Sequence, residues 1–115
     1  MRFLFSGNEQ TATIIQTGTL VDGNISTLHN IRIDGEVKGT VSAGGRLIVG
    51  KTGTVGGGIQ CDNAIIEGAV TGNVYVDAFL EVKSSAVIVG DICAEDADIK
   101  SGAKIEGNIK VKKVE

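Results

Sequence analysis

The chain repeats itself with a short period, and few folds can be built that way. A unit reading β-branched, any, Gly, any, β-branched occurs six times in 115 residues. It runs Val21-Asp22-Gly23-Asn24-Ile25, Val37-Lys38-Gly39-Thr40-Val41, Val55-Gly56-Gly57-Gly58-Ile59, Val70-Thr71-Gly72-Asn73-Val74, Ile88-Val89-Gly90-Asp91-Ile92 and Ile105-Glu106-Gly107-Asn108-Ile109. The central glycines step by 16, 18, 15, 18 and 17 residues. From the second unit onward each is preceded by an apolar pair: Ile31 and Ile33, Leu47 and Val49, Ala64 and Ile66, Leu80 and Val82, Ala97 and Ile99. A 33-residue period lies on top, matching Ile33 to Ile66, Gly39 to Gly72, Leu47 to Leu80 and Ile59 to Ile92. Short and long units therefore alternate, the long ones carrying turn residues such as Lys51-Thr52-Gly53 and Lys83-Ser84-Ser85.

Period-two alternation over three to five residues makes strands that send alternate side chains into a core. Strands this short cannot bury an apolar side alone, but they can when each unit stacks on the one before. The expected fold is all-β: one domain, a right-handed parallel β-helix with three sides and about six rungs. At ~4.8 Å per stacked strand the rod is about 29 Å long. Val21, Val37, Val55, Val70, Ile88 and Ile105 form one inward ladder, and Ile25, Val41, Ile59, Val74, Ile92 and Ile109 the next. The left-handed hexapeptide helix of acyltransferases fits less well, because it needs an aliphatic residue every six positions. Three segments are expected: an N-terminal membrane-binding or capping segment 1–11, the β-helix 12–109, and a short charged tail 110–115.

Composition agrees with a solenoid. There are 17 glycines, no proline, no tryptophan and 3% aromatics, so the core must be made of Val, Ile, Leu and Ala. A net charge of −3 disfavours non-specific nucleic-acid binding. No apolar run approaches a transmembrane helix, no secretory signal opens the chain, and two cysteines define no disulfide scaffold. The expected compartment is the cytoplasm.

The phrase Ile-x-Gly-x-Val-x-Gly-x-Val, at Ile33 to Val41 and Ile66 to Val74, occurs with Gly90-Asp91-Ile92 in an ordered alternation of short and long rungs. From about Ile14 to Ile109 the chain resembles the bactofilins, small bacterial cytoskeletal polymers. The resemblance implies a triangular β-helix that polymerises end to end without nucleotide, in alternating head-to-head and tail-to-tail joints. It also implies attachment to the inner face of the cytoplasmic membrane through a short N-terminal peptide, and cell-wall or cell-shape proteins as further partners. The Pro-rich tails common in the family are absent, and Ile105 stands where members often place Phe.

Several motifs invite chemistry. Gly45-Arg46-Leu47-Ile48-Val49-Gly50-Lys51-Thr52 spells a phosphate loop, but its middle reads as a strand and no helical pattern follows. Cys61 and Cys93 fall two rungs apart, at least ~9.6 Å, beyond disulfide reach. His29 is the sole histidine, in a linker between rungs, with no partner indicated. No catalytic residue, cofactor, metal or small-molecule substrate is expected.

Surfaces are where function is expected. Met1, Arg2, Phe3, Leu4 and Phe5 fall outside the repeat and hold two of the three Phe residues. They read either as a cap on the first rung or as a membrane-inserting tip with Arg2 facing lipid phosphates. A β-helix leaves unpaired backbone and core flanks at both ends, and such edges recruit another edge unless blocked. Ile14, Val21 and Ile25 are expected to line the N-terminal joint, and Ile99, Ile105 and Ile109 the C-terminal one. Outward Ile48, Ile65, Val87 and Val89 are expected to form a contiguous stripe for lateral contact. The expected function is a non-enzymatic, self-assembling scaffold on the membrane. The alternatives are a β-helical binding module, like the C-terminal domain of the septum-positioning division inhibitor, and a hexapeptide acyltransferase.

Overall fold

The computed structural model describes residues 2–5 and 12–111, with side chains from residue 14 onward. These residues form sixteen strands and no helix. Three faces wind around one axis. The first face stacks β1 (Arg2–Phe5), β4 (Asn24–Thr27), β7 (Val41–Ala43), the leading halves of β10 (Ile59–Ile66), β12 (Val74–Val82) and β14 (Ile92–Ile99), and β16 (Ile109–Val111). The second stacks β2 (Ala12–Ile15), β5 (Asn30–Ile33), β8 (Arg46–Val49) and the trailing halves of β10, β12 and β14. The third stacks β3 (Leu20–Asp22), β6 (Glu36–Lys38), β9 (Thr54–Gly56), β11 (Ala69–Thr71), β13 (Val87–Val89) and β15 (Lys104–Glu106). Every pairing is parallel, giving about six turns in a body 37 × 26 × 20 Å across. This is the all-β parallel solenoid expected from the repeat.

The ladders follow from the register. On the third face Val21 pairs with Val37, then Val55, Val70, Ile88 and Ile105 in turn. On the first face Ile25, Val41, Ile59, Val74, Ile92 and Ile109 stack likewise. The apolar pairs supply the second face, with Ile33, Val49, Ile66 and Val82 fully enclosed. Parallel stacking sets each aliphatic side chain over its like, so a core without large aromatics fills by repetition.

Corners are where the chain must bend, and two devices handle them. Asparagine and aspartate side chains take up backbone N–H groups of the next turn: Asn24 Oδ1 accepts from Thr40, Asn30 Oδ1 from Arg46 at 2.8 Å, and Asp91 Oδ1 from Asn108. The repeat's central glycine holds the corner between third and first faces. Gly90 has φ +140, and a Cβ added there would strike the carbonyl oxygen of Gly72 one turn below. From the fourth turn the first and second faces share one strand that bends at a register shift, between Cys61 and Asn63 and again between Val76 and Phe79.

Three expectations change here. Ile14 was expected at the joint with its flank on the core, but it is 56% exposed, and the neighbouring Ile15 points inward. Ile25 was expected bare at the N-terminal end, but it is 1% exposed because β1 pairs over it, Phe3 opposite Ile25. Ile48 and Ile65 pair on the second face, while Val87 and Val89 lie on the third, so the four do not make one stripe. Met1 lies outside the described residues.

Candidate assembly surfaces

The two ends of the rod differ. At the C-terminal end the inward ladders run out with no strand beyond them among the described residues. Ile99 and Ile109 are 40% and 42% exposed, against 0% and 1% for Val82 and Ile92, their counterparts one turn earlier. Val111 follows at 38%, and Ile105 is half-buried where Ile88 is enclosed. The loss of cover comes from position, since the residues at these places remain aliphatic. At the N-terminal end Ile15, Val21 and Ile25 are all buried. Arg2–Phe5, read from sequence as lying outside the repeat, is a strand of the first face with Arg2 opposite Asn24 and Phe5 opposite Thr27.

The sides differ from one another as well. The second face carries an outward row in which Ile14, Arg32, Ile48, Ile65, Glu81 and Asp98 stack in successive turns. Arg32 Nε lies 2.9 Å from Asp34 Oδ2, and Lys83 pairs with Glu81. Each carboxylate raises the proton affinity of the cation beside it, first through the hydrogen bond. On the third face Leu20, Val87 and Val89 stand exposed among charged neighbours.

The motifs with chemical readings resolve into structure. Residues 46–49 of the phosphate-loop spelling form β8, and a turn at Lys51 and Thr52 leads to β9. Cys61 faces the core and is 2% exposed, and Cys93 lies two strands away, opposite Tyr75, half-exposed; both are free thiols. Burial, with help from Asp62 and Asp77, pushes the Cys61 thiol up to about 12. His29 sits between β4 and β5, its backbone N–H donating to Thr27 Oγ1 at 3.2 Å. Among the described residues no three His, Cys, Asp or Glu side chains gather as a metal site, and no helix is long and apolar enough to cross a membrane.

Comparison with known proteins gives one consistent answer. Residues 13–110 match the family described as bactofilin, polymer-forming cytoskeletal. Bactofilin BacO of Myxococcus xanthus (strain DK1622) is 37% identical over 97 residues, covering 84% of this chain and 77% of that protein. Bactofilin BacP of the same strain is 29% identical over 103 residues, covering 90% of this chain and 43% of its own length. No solved structure is a significant match.

Proposed function

The chain belongs to the bactofilin family of polymer-forming cytoskeletal proteins, and on that premise we propose that its rods join end to end, without nucleotide, into membrane-associated scaffold filaments. The reading rests on one observation above all. Among the described residues the last turn of the repeating core has no strand stacked on it, and Ile99, Ile109 and Val111 are partly bare beside its strand edges. Another rod end supplies the same ladder spacing and the missing backbone partners, which water supplies only in part. In this reading the chain is a structural protein and not an enzyme, and its first partner is itself. Cell-wall or cell-shape proteins would ride on the polymer. Electron microscopy of the purified protein in nucleotide-free buffer tests the assembly; uniformly single short rods would refute it.

The membrane part of the proposal rests on residues 1–5. Burying Phe3, Leu4 and Phe5 in lipid is worth ~1.5–3 kcal/mol each at best, with about 1 kcal/mol more from Arg2 near anionic headgroups. Ordering costs leave a single tip weakly held, and a polymer displaying many tips gains avidity on the inner face of the cytoplasmic membrane. Reaching lipid means lifting β1 off β4 and uncovering Ile25, so capping and membrane binding compete for one segment. Deleting residues 2–5 separates the two uses. Loss of liposome co-sedimentation with filaments intact supports the membrane role, and loss of the filaments themselves makes the segment a rung cap.

A further inference from the structure

We infer that the second face of the rod is a side-to-side contact for another copy of the chain, held antiparallel. The outward row offers a cation at Arg32, two aliphatics at Ile48 and Ile65, and an anion at Glu81, in that order along the axis. A two-fold axis lying along the strands, midway between Ile48 and Ile65, maps this row onto itself reversed. Ile48 of one rod then meets Ile65 of the other, and Arg32 meets Glu81. In the neighbouring corner row, which runs Asp34, Gly50, Glu67, Lys83, the outer two residues obey the same symmetry, while Glu67 falls opposite Gly50. Asp34 and Lys83 each follow directly on a strand of this face, their N–H groups bonded to Ile15 and Ile66, so reversal sets Asp34 against Lys83.

Each rod already carries two ion pairs on this face, Arg32 with Asp34 and Lys83 with Glu81. The pairs point in opposite directions across the strands, with the cation first at Arg32 and last at Lys83. Antiparallel docking therefore lays one pair over the other with every cation beside two anions. Parallel docking about an axis along the rod would put Arg32 on Arg32 and Glu81 on Glu81, like on like. At the ends of the row Ile14 meets Asp98, whose carboxylate is held by Lys100 at 3.0 Å. The occupant this face fits is therefore its own reverse. The face measures roughly 29 by 13 Å, about half the usual area for one stable partner. One pair of rods is weak, and a row of rods multiplies the contact.

Zero-length carbodiimide coupling on a mixture of isotope-labelled and unlabelled protein tests this. Positions 34 and 83 lie three strand spacings apart within a rod, ~14 Å, so a direct Lys83–Asp34 amide can form only between two copies. The expected product is a mixed-isotope peptide joining Lys83 to Asp34. Arg32→Glu with Asp34→Lys keeps the ion pair inside each rod, sets like charge against like across the contact, and leaves no carboxylate at 34 to couple, so it is the blank for this link. Adding Glu81→Lys and Lys83→Glu restores the link between positions 34 and 83. Thermal melts check that each variant is folded; if one is not, the wild-type link decides alone. Absence of that link while Lys83 remains open to acylation, or no restoration in a folded fourfold variant, overturns the pairing. Micrographs of the same samples read the end joints separately: single rods with the link present would sink end-to-end assembly and leave the side contact standing.

Discussion

Ile105→Arg is the perturbation that most directly interrogates the C-terminal joint. Ile105 closes the ladder that begins at Val21, half-buried where Ile88 beneath it is enclosed. Together Ile99, Ile109 and Val111 bare roughly 200 Å² of apolar surface, worth about 5 kcal/mol for one end if a joint covers it. That is of the same order as the lower estimates for the cost of immobilising a partner. A guanidinium at 105 brings an unpaired charge into this patch at a cost of several kcal/mol, enough to cancel the gain. The folded rod should tolerate it, because at an open end the side chain can turn its head to water. If joints alternate head-to-head and tail-to-tail, the N-terminal joint survives and light scattering gives a dimer of the 11.9 kDa subunit. That dimer is the expected result. A monomer mass would mean one head-to-tail joint throughout, and undiminished long filaments would refute rod ends as the joint.

Two further outcomes are expected. Gly90→Ala combines a φ of +140 with a Cβ driven into the Gly72 carbonyl. It should cost about 3 kcal/mol or more, against about 1–2 kcal/mol for Gly18→Ala, where φ is +89 and nothing lies near; equal thermal shifts for the two would dismiss the stacked-corner account. The thiols should behave differently: a thiol reagent at pH 8 should modify Cys93 in the native rod and reach Cys61 only on unfolding. Because Cys61 is raised from 9.0 to about 12 in the folded rod, the unfolded chain ionises first. Stability should therefore be level below the unfolded pKa and fall as pH climbs through the interval, by at most ~1.4 kcal/mol per unit from this group. Cys61→Ala should flatten that part of the denaturation profile.

The ladders were legible because stacking repeats a local pattern, and every inward residue recurs at the glycine step. Where no unit carries the phase, sequence reasoning failed. Thr13-Ile14-Ile15 places two aliphatics side by side, and alternation cannot say which is inward. Register with Ile33, one long step of 18 residues away, selects Ile15. The supposed stripe broke a rule already visible in the chain: one step from Ile65 lands on Glu81, and Val87 is 22 residues away, more than any glycine step. Arg2–Phe5 escaped for the same reason in reverse. Its pairing spans 22 residues, Arg2 to Asn24, so a search at steps of 15–18 passes over it. The charge order of the second face needed the register itself, since Arg32 and Glu81 are far apart in the chain and only stacking puts them on one line.

A core this uniform has a consequence for assembly. Every turn offers the same aliphatic ladders, so nothing inside the rod distinguishes an N-terminal end from a C-terminal one as a partner. Direction has to be decided outside the core. At the N-terminal end β1 covers Ile25; at the C-terminal end Ile109 is left bare. Along the side, the order Arg32, Ile48, Ile65, Glu81 accepts only a reversed neighbour. A filament whose joints alternate contains rods of both directions, so two such filaments can pair along this face from either relative orientation. A filament built head to tail contains one direction, and two of them could pair only when running oppositely. The symmetry of the end joint, read from the mass of the Ile105→Arg variant, thus fixes which bundles the side contact allows.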